Sequence, residues 1–447
     1  MRTIPLTRHH GEHDLFAWFE QQRISHAQFI DHVHQVAAQL HDKPFVINLV
    51  ENRYLFILTF AAALLRRQVS LLPPSRTPAD VNRVIQNYPD CYCLADQALE
   101  LDTPTPRCQV KIPSQHLGHT SVPDIGENQL AAITFTSGST GTPQPHTKYW
   151  GDLAYATDAA AQRFGLYDKT HRIIATVPPQ HMYGFETSVL YPLLTGCAIY
   201  GGRPFYPADI NHAVNTCDQP VLLITTPVHL RACTAAGLEW KHIELIISAT
   251  APLDRTLARQ AQETMHAPVK EIFGCTEAGS IASRETLATD TWRMYPEFTL
   301  RQDKSGIQVV AAHLREPVTL HDNIELLNEH EFIHLGRSGD MINIAGKRGS
   351  LSDLNLKLQE LEMVEAGAFF LPEDEGRQQT LTRLTAFVVA PEADEKEILS
   401  ALSQKVDPVF LPRPLYKVNR LPYNETGKLT LRALRELHLK LRNGERR

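Results

Sequence analysis

Thr134–Pro143 (TFTSGSTGTP) carries the strongest local chemical signal in the sequence. Glycines let a backbone approach an anion closely, and successive N–H groups joined by Ser and Thr hydroxyls form a cradle for phosphate-like oxygens. This is not a Walker loop, because Gly-Lys followed by Ser or Thr occurs nowhere in the chain. Taken alone, the stretch also reads as a polar surface turn, so its meaning rests on what surrounds it.

The loop directly follows the apolar run Ala131–Phe135. Comparable runs stand at Phe45–Leu49, Val69–Leu72, Ile173–Val177, Cys197–Tyr200, Val221–Thr225 and Leu245–Ser248. Each has the length of a buried strand, and helix-length stretches separate several of them. Between the first pair lies Tyr54–Leu65 (YLFILTFAAALL), a helix expected to be buried or half-buried, which makes this segment a βαβ unit. It is flanked by Arg53 and Arg66-Arg67 and is too short to cross a bilayer, which takes about 20 residues. The pattern implies an α/β fold of mostly parallel sheets, in which ligands sit beyond the carboxyl ends of the strands.

From about Glu297 the character changes, and FTLRQ, GIQVVAAHL, NIELLN and EFIHLG alternate as antiparallel strands do. A polar, Gly-containing stretch follows at Gly336–Ser352. After it come apolar runs at Ala366–Leu371 and Leu384–Val389, a helix at Asp394–Gln404 and a basic closing helix at Thr430–Leu441. The expected architecture is a large N-terminal domain, residues 1–339, of mostly parallel sheets with helices plus a β-subdomain, and a small α+β domain, residues 340–447.

The 447 residues, 43% hydrophobic and 21% charged, suffice for both. A net charge of −6 gives no electrostatic reason to expect nucleic acid. The N-terminus MRTIPLTRHHGEHDLF has neither the apolar stretch nor the cleavage site of a secretory signal, so a cytoplasmic protein without membrane insertion is expected. Its seven cysteines are scattered, and Cys91-Tyr92-Cys93 is too isolated a pair to form a zinc site.

Further segments, in order, complete a pattern: Pro178-Pro179-Gln180-His181-Met182-Tyr183-Gly184, Ser248-Ala249-Thr250-Ala251-Pro252-Leu253, Phe273-Gly274-Cys275-Thr276-Glu277, Leu320-His321-Asp322, Gly336-Arg337-Ser338-Gly339-Asp340, and Leu421-Pro422 with Gly427-Lys428. With the Gly-rich loop, the chain resembles the adenylate-forming (AMP-binding) superfamily over nearly its whole length, in the manner of acyl-CoA synthetases and aryl-acid ligases. The resemblance implies a ligase that uses ATP and Mg2+ to turn a small carboxylic acid into an acyl-AMP, then transfers the acyl group to the thiol of CoA or of an acyl carrier protein's phosphopantetheine.

The same resemblance assigns roles. Thr136, Ser137, Gly138, Ser139, Thr140 and Gly141 hold the polyphosphate. Glu277 takes the Mg2+ with Thr276 beside the phosphate, and Gly274 belongs to the same motif. Asp322 accepts hydrogen bonds from the ribose hydroxyls with Arg337 nearby, a carboxylate offering several acceptor positions to a diol. Lys428 bridges the acid carboxylate and the α-phosphate, while His181 is a wall of the site with no acid–base role. The small domain is expected to rotate about Asp340, withdrawing Lys428 and presenting Gly346–Gly349 to the pantetheine arm. In isolation, Glu277 also reads as a solvated loop carboxylate, Asp322 as a turn residue and Lys428 as part of a basic helix face.

Several positions depart from the family pattern. Pro143 is followed by Gln144-Pro145 where relatives continue Lys-Gly, so a cation is missing, with Lys148 as a candidate substitute. Asn343 replaces a lysine after Asp340, and His321 replaces a glycine. The segment Gln180–Leu190 contains no aspartate to meet a substrate ammonium, which favours a plain carboxylic acid. Tyr183 and Gly184 stand where hydroxycinnamate-activating relatives contact the acid, and Tyr183 reads equally as a core tyrosine. A small aryl acid such as a hydroxybenzoate fits the compact chain. The alternatives are a medium- or long-chain fatty acid, and a non-catalytic nucleotide-binding protein of the same fold.

Overall fold

The computed structural model describes residues 2–443 apart from 9–10, 20–21, 99–103, 137–143, 170, 305, 338–340, 345–346, 373–382 and 425–427. The expected βαβ unit forms from strand Phe45–Asn48, helix Arg53–Leu65 and strand Val69–Leu72, the strands parallel with Phe45 opposite Val69. Asn52 caps the helix, its side chain accepting the Leu55 N–H at 3.0 Å. Every residue from Arg53 to Leu64 is buried. Each fully buried large apolar side chain contributes about 1.5–3 kcal/mol, which explains why an apolar helix with so weak a polar face is stable here.

This unit belongs to a six-stranded sheet in the order Gln144–Tyr149, Leu130–Thr136, Val69–Leu72, Phe45–Asn48, Cys91–Ala95, Arg107–Gln109. All neighbours are parallel except the first pair. A second, eleven-stranded sheet has a parallel centre, Val269–Cys275, Ile243–Ser248, Val221–Thr225, Arg172–Ala175, Ala198–Tyr200 and Leu15–Phe19, with antiparallel strands at both flanks. The central strands read as continuous apolar runs because both faces are covered. Leu222 and Ile224 enter one core while Val221 and Leu223 enter another. The β-structure expected after Glu297 splits in two: Thr299–Asp303, Gly306–Val310 and Val318–Thr319 make their own sheet, while Asp322–Asn328 and Glu331–Arg337 extend the eleven-stranded one.

The C-terminal residues build separate apolar cores around the sheet of Ala366–Phe370, Thr385–Val389 and Leu415–Lys417, covered by helices Leu351–Gln359, Glu395–Ser403 and Leu431–Arg442. The chain is thus a large α/β unit with parallel-rich sheets and a small α+β unit. Among the described residues no helix is long and apolar enough to cross a membrane.

Candidate active site

Beyond the end of strand Arg172–Ala175, the chain turns through Pro178–His181 into the short helix Met182–Phe185. A Cβ on Gly184 would lie 2.0 Å from the Pro178 carbonyl oxygen, so only glycine closes this turn. Arg53 holds the turn from below, its guanidinium donating to the Ala175 and Val177 carbonyls at 2.8 Å each and to the Ser188 hydroxyl. Sequence reading placed Arg53 as a charged flank of the helix, whereas the fold buries it and burial pulls its pKa down to about 9. It remains cationic at neutral pH because carbonyl dipoles replace its water.

His181 stands at the mouth of this turn with its pKa lowered to about 4, by burial first and then by the charges of Lys428 and Arg76. The ring is therefore neutral at physiological pH. Tyr183 is half-buried, and its hydroxyl lies 3.1 Å from the Thr225 carbonyl and 2.9 Å from that of Ile247, committed to the ends of two central strands. With the hydroxyl so committed, the accessible part of the side chain is ring surface.

Gly274, Thr276 and Glu277 occupy the hairpin between strands Val269–Cys275 and Gly279–Glu285. A Cβ on Gly274 would lie 2.3 Å from the Gly279 carbonyl, so the hairpin closes this tightly only with glycine. Lys148 does not fill the place of the missing loop cation. It is buried on strand Gln144–Tyr149, donates to the carbonyls of Thr276 (2.5 Å) and Glu277 (2.8 Å), and so braces the hairpin from behind. Below it, the fully buried Glu186 accepts from the Ser280 N–H at 3.0 Å and from its hydroxyl. Burial raises the carboxyl pKa of Glu186 and lowers that of the Lys148 ammonium, each charge partly offsetting the other. The Glu277 carboxylate itself is exposed, with His146 Nε2 at 3.8 Å. An exposed, hard oxygen donor on a braced hairpin fits a Mg2+ ligand.

Asp322 and Arg337 face each other as register partners across the hairpin of Asp322–Asn328 and Glu331–Arg337. Sequence reading missed His334, whose Nε2 lies 3.1 Å from Asp322 Oδ1 and whose ring sits 5.3 Å from that of Phe273. It ties the Asp322 carboxylate to the strand leading into Gly274. Its signal, a polar residue at an alternating strand position, does not identify its partners.

Lys428 is exposed, at the end of a loop in which its N–H donates to Asn424 Oδ1 at 2.8 Å and its carbonyl accepts the Asn424 N–H at 2.9 Å. Its positive charge is among the causes that hold the His181 pKa down, after burial. Ser137, Gly138, Ser139, Thr140, Gly141, Asp340 and Gly346 lie outside the described residues, and the side chains of Thr136, Arg337 and Asn343 do as well.

The profile of the AMP-binding enzyme family matches residues 7–315. The chain is 27% identical over 322 residues to a 4-coumarate-CoA ligase of Halorhodospira halophila, covering 67% of this chain and 75% of the relative. It is 22% identical over 357 residues to a 4-chlorobenzoate-CoA ligase of an Arthrobacter species, covering 68% and 66%. Its fold superimposes on ATP-bound MatB from Rhodopseudomonas palustris with a TM-score of 0.80 at 18% identity, covering 96% of this chain and 97% of that one. It also superimposes on O-succinylbenzoate coenzyme A synthetase from Bacillus subtilis in complex with AMP, with a TM-score of 0.79 at 16% identity, covering 94% and 95%.

Proposed function

This chain belongs to the AMP-binding enzyme family, and from that premise we propose that it is an adenylate-forming ligase, activating a carboxylic acid with ATP and passing the acyl group to a thiol. The observation that carries this reading is the exposed Glu277 carboxylate on a glycine-closed hairpin that the buried Lys148 braces through the Thr276 and Glu277 carbonyls. In the first step an oxygen of the acid carboxylate bonds to the α-phosphorus of ATP while the bond to pyrophosphate breaks. Two anions must be brought together, and Lys428 neutralises the carboxylate and α-phosphate oxygens. Thr136–Gly141 holds the polyphosphate, with Thr276 beside it. Asp322, positioned by His334, accepts from the ribose hydroxyls, with Arg337 nearby. Glu277 would hold Mg2+, which would supply charge neutralisation on the phosphates.

In the second step the thiol sulfur bonds to the acyl carbon, its proton passes to solvent, and AMP leaves. Residues 340–447 act as the mobile unit, turning about Asp340 to remove Lys428 and bring residues 346–349 toward the thiol arm. The acceptor is CoA or the phosphopantetheine of an acyl carrier protein. The acid is a small aryl acid of the hydroxybenzoate kind, supported by the relatives' names and by the ring surface of Tyr183, whose hydroxyl is already committed. The protein acts in the cytoplasm. The test is acid-dependent ATP–pyrophosphate exchange across hydroxybenzoates, cinnamates and fatty acids. Exchange with an aryl acid is expected; exchange confined to fatty acids overturns the substrate assignment, and none with any acid overturns the enzyme.

A further inference from the structure

The short helix Met182–Phe185 runs on into a π turn, Glu186–Leu190, closed by the Tyr191 N–H on the Glu186 carbonyl. Such turns are rare and are frequent at functional sites when they occur. This one has two occupied sides. On the first, the Tyr183 hydroxyl is tied to the Thr225 and Ile247 carbonyls, where the acid is proposed to bind. On the second, Met182 and Glu186, one turn apart, meet the strand Gly279–Glu285 that closes the Glu277 hairpin. The Glu186 carboxylate accepts the Ser280 N–H on both oxygens, at 3.0 and 3.2 Å, and the Ser280 hydroxyl on one of them. Gly279, at φ +79°, shapes the fit: a Cβ there would lie 2.3 Å from Glu186 Oε1 and 3.6 Å from Met182 Cε.

Glu186 is buried, and among the described residues all its side-chain hydrogen bonds go to Ser280. Burying a carboxyl to hold one serine adds little stability, since a well-packed apolar side chain in such a place is often neutral or stabilising. What the carboxylate adds is a fixed geometry three residues from Glu277. We propose that Glu186 is a positioning residue that couples the wall of the acid site to the Mg2+-binding hairpin. It clamps Gly279 and Ser280 to the helix bearing Tyr183, so an acid resting on that helix fixes the hairpin and with it the Glu277 carboxylate. By linkage, the acid and MgATP each tighten the other. This rests on the acid-activating function proposed above. Lys148 braces the same hairpin from the six-stranded sheet, whereas Glu186 ties it to the acid wall itself.

The test reads calorimetric binding of Mg2+ and α,β-methylene-ATP, which cannot release pyrophosphate, with and without 4-hydroxybenzoate. Thermal unfolding is the folding control. In the wild type the acid is expected to tighten nucleotide binding by about tenfold. Glu186→Leu should lose this tightening and raise the Mg2+ concentration for half-maximal nucleotide binding by about tenfold. In a Glu277→Ala background it should add nothing to the Mg2+ defect, because Glu186 acts through that carboxylate. Glu186→Gln, which still meets the Ser280 N–H and hydroxyl, should keep most of the coupling. If Glu186→Leu does not fold, Ser280→Ala takes its place and should lower the coupling about threefold, no change overturning the proposal. Wild-type coupling in Glu186→Leu overturns it, as does a Mg2+ defect that adds in full to that of Glu277→Ala, or a wild type that binds both ligands without mutual tightening. If 4-hydroxybenzoate does not bind the wild type, the aryl-acid assignment falls, while the Mg2+ dependence of nucleotide binding still decides on Glu186: additive defects in the double variant overturn its role, and non-additive ones sustain it.

Discussion

The hairpin carrying Thr276 and Glu277 and the loop carrying Lys428 hold opposite charges in opposite ways. The hairpin grows from a central strand, is braced by a buried lysine on its carbonyls, and rests on a buried carboxyl that holds Ser280. Asn424 and Lys428 are exposed and hydrogen-bonded to each other, and the helix that follows, Leu431–Arg442, buries only Leu434. A wall that must hold phosphate charge in place gains from rigid, desolvated support, because fixed dipoles then cost no reorganisation. On the mechanism proposed above, a lysine that leaves between two half-reactions gains from shallow anchoring, because withdrawal breaks few buried contacts.

The largest effect should come from removing the brace. Lys148→Met leaves buried carbonyls and the Glu186 carboxyl uncompensated, and a loss of about 3–5 kcal/mol in urea unfolding is expected. A loss below about 1 kcal/mol would mean that the hairpin is not supported as argued. Next, Lys428→Ala should lower ATP–pyrophosphate exchange by about 10²–10³-fold, about 2.7–4 kcal/mol, while its melting temperature stays at the wild-type value. A large drop in melting temperature would break the contrast, since the loop would then be structural.

Asp322→Ala should weaken MgATP binding by about 10- to 100-fold, with His334→Ala falling between it and wild type, because His334 acts only through the carboxylate. Equal effects from both would place His334 on the ligand itself. A smaller effect concerns acid stability. His181, His229 and His313 are each lowered to about 4, with burial the leading cause. An unfolded chain takes up protons on these rings near pH 6.5, before the folded one does, so their contribution is intact above that pH and is lost as pH falls toward 4. Both ring nitrogens of His313 are buried, with no hydrogen-bond partner among the described residues. His313→Phe should therefore match or exceed wild-type stability at pH 7 and lead it by about 1 kcal/mol near pH 5, read by urea midpoints. A mutant that loses stability equally at both pH values would refute the buried, neutral ring.

Much of the candidate site could be named from the sequence because its residues fall in short, contiguous segments. The hydroxyl-rich loop follows a strand, Glu277 sits in a turn made possible by Gly274, and Asp322 and Arg337 occupy the two arms of one hairpin. The strands of the parallel cores were equally visible, since burial on both faces leaves uninterrupted apolar runs such as Val221–Thr225. The π-helical turn Glu186–Leu190 was not visible, because nothing in its composition distinguishes it from an ordinary helix.

The order of the segments and the types of their residues determined the family and the α/β class. Only the tertiary structure decided which cation does what. Arg53 and Lys148 read as a solvated flank and a spare phosphate ligand, yet both are buried on backbone carbonyls, while Arg76, in an unremarked loop, reaches the strand edge. The physical reason is that a charge's role depends on which dipoles and counter-charges surround it once water is removed, and those neighbours come from strands distant in sequence.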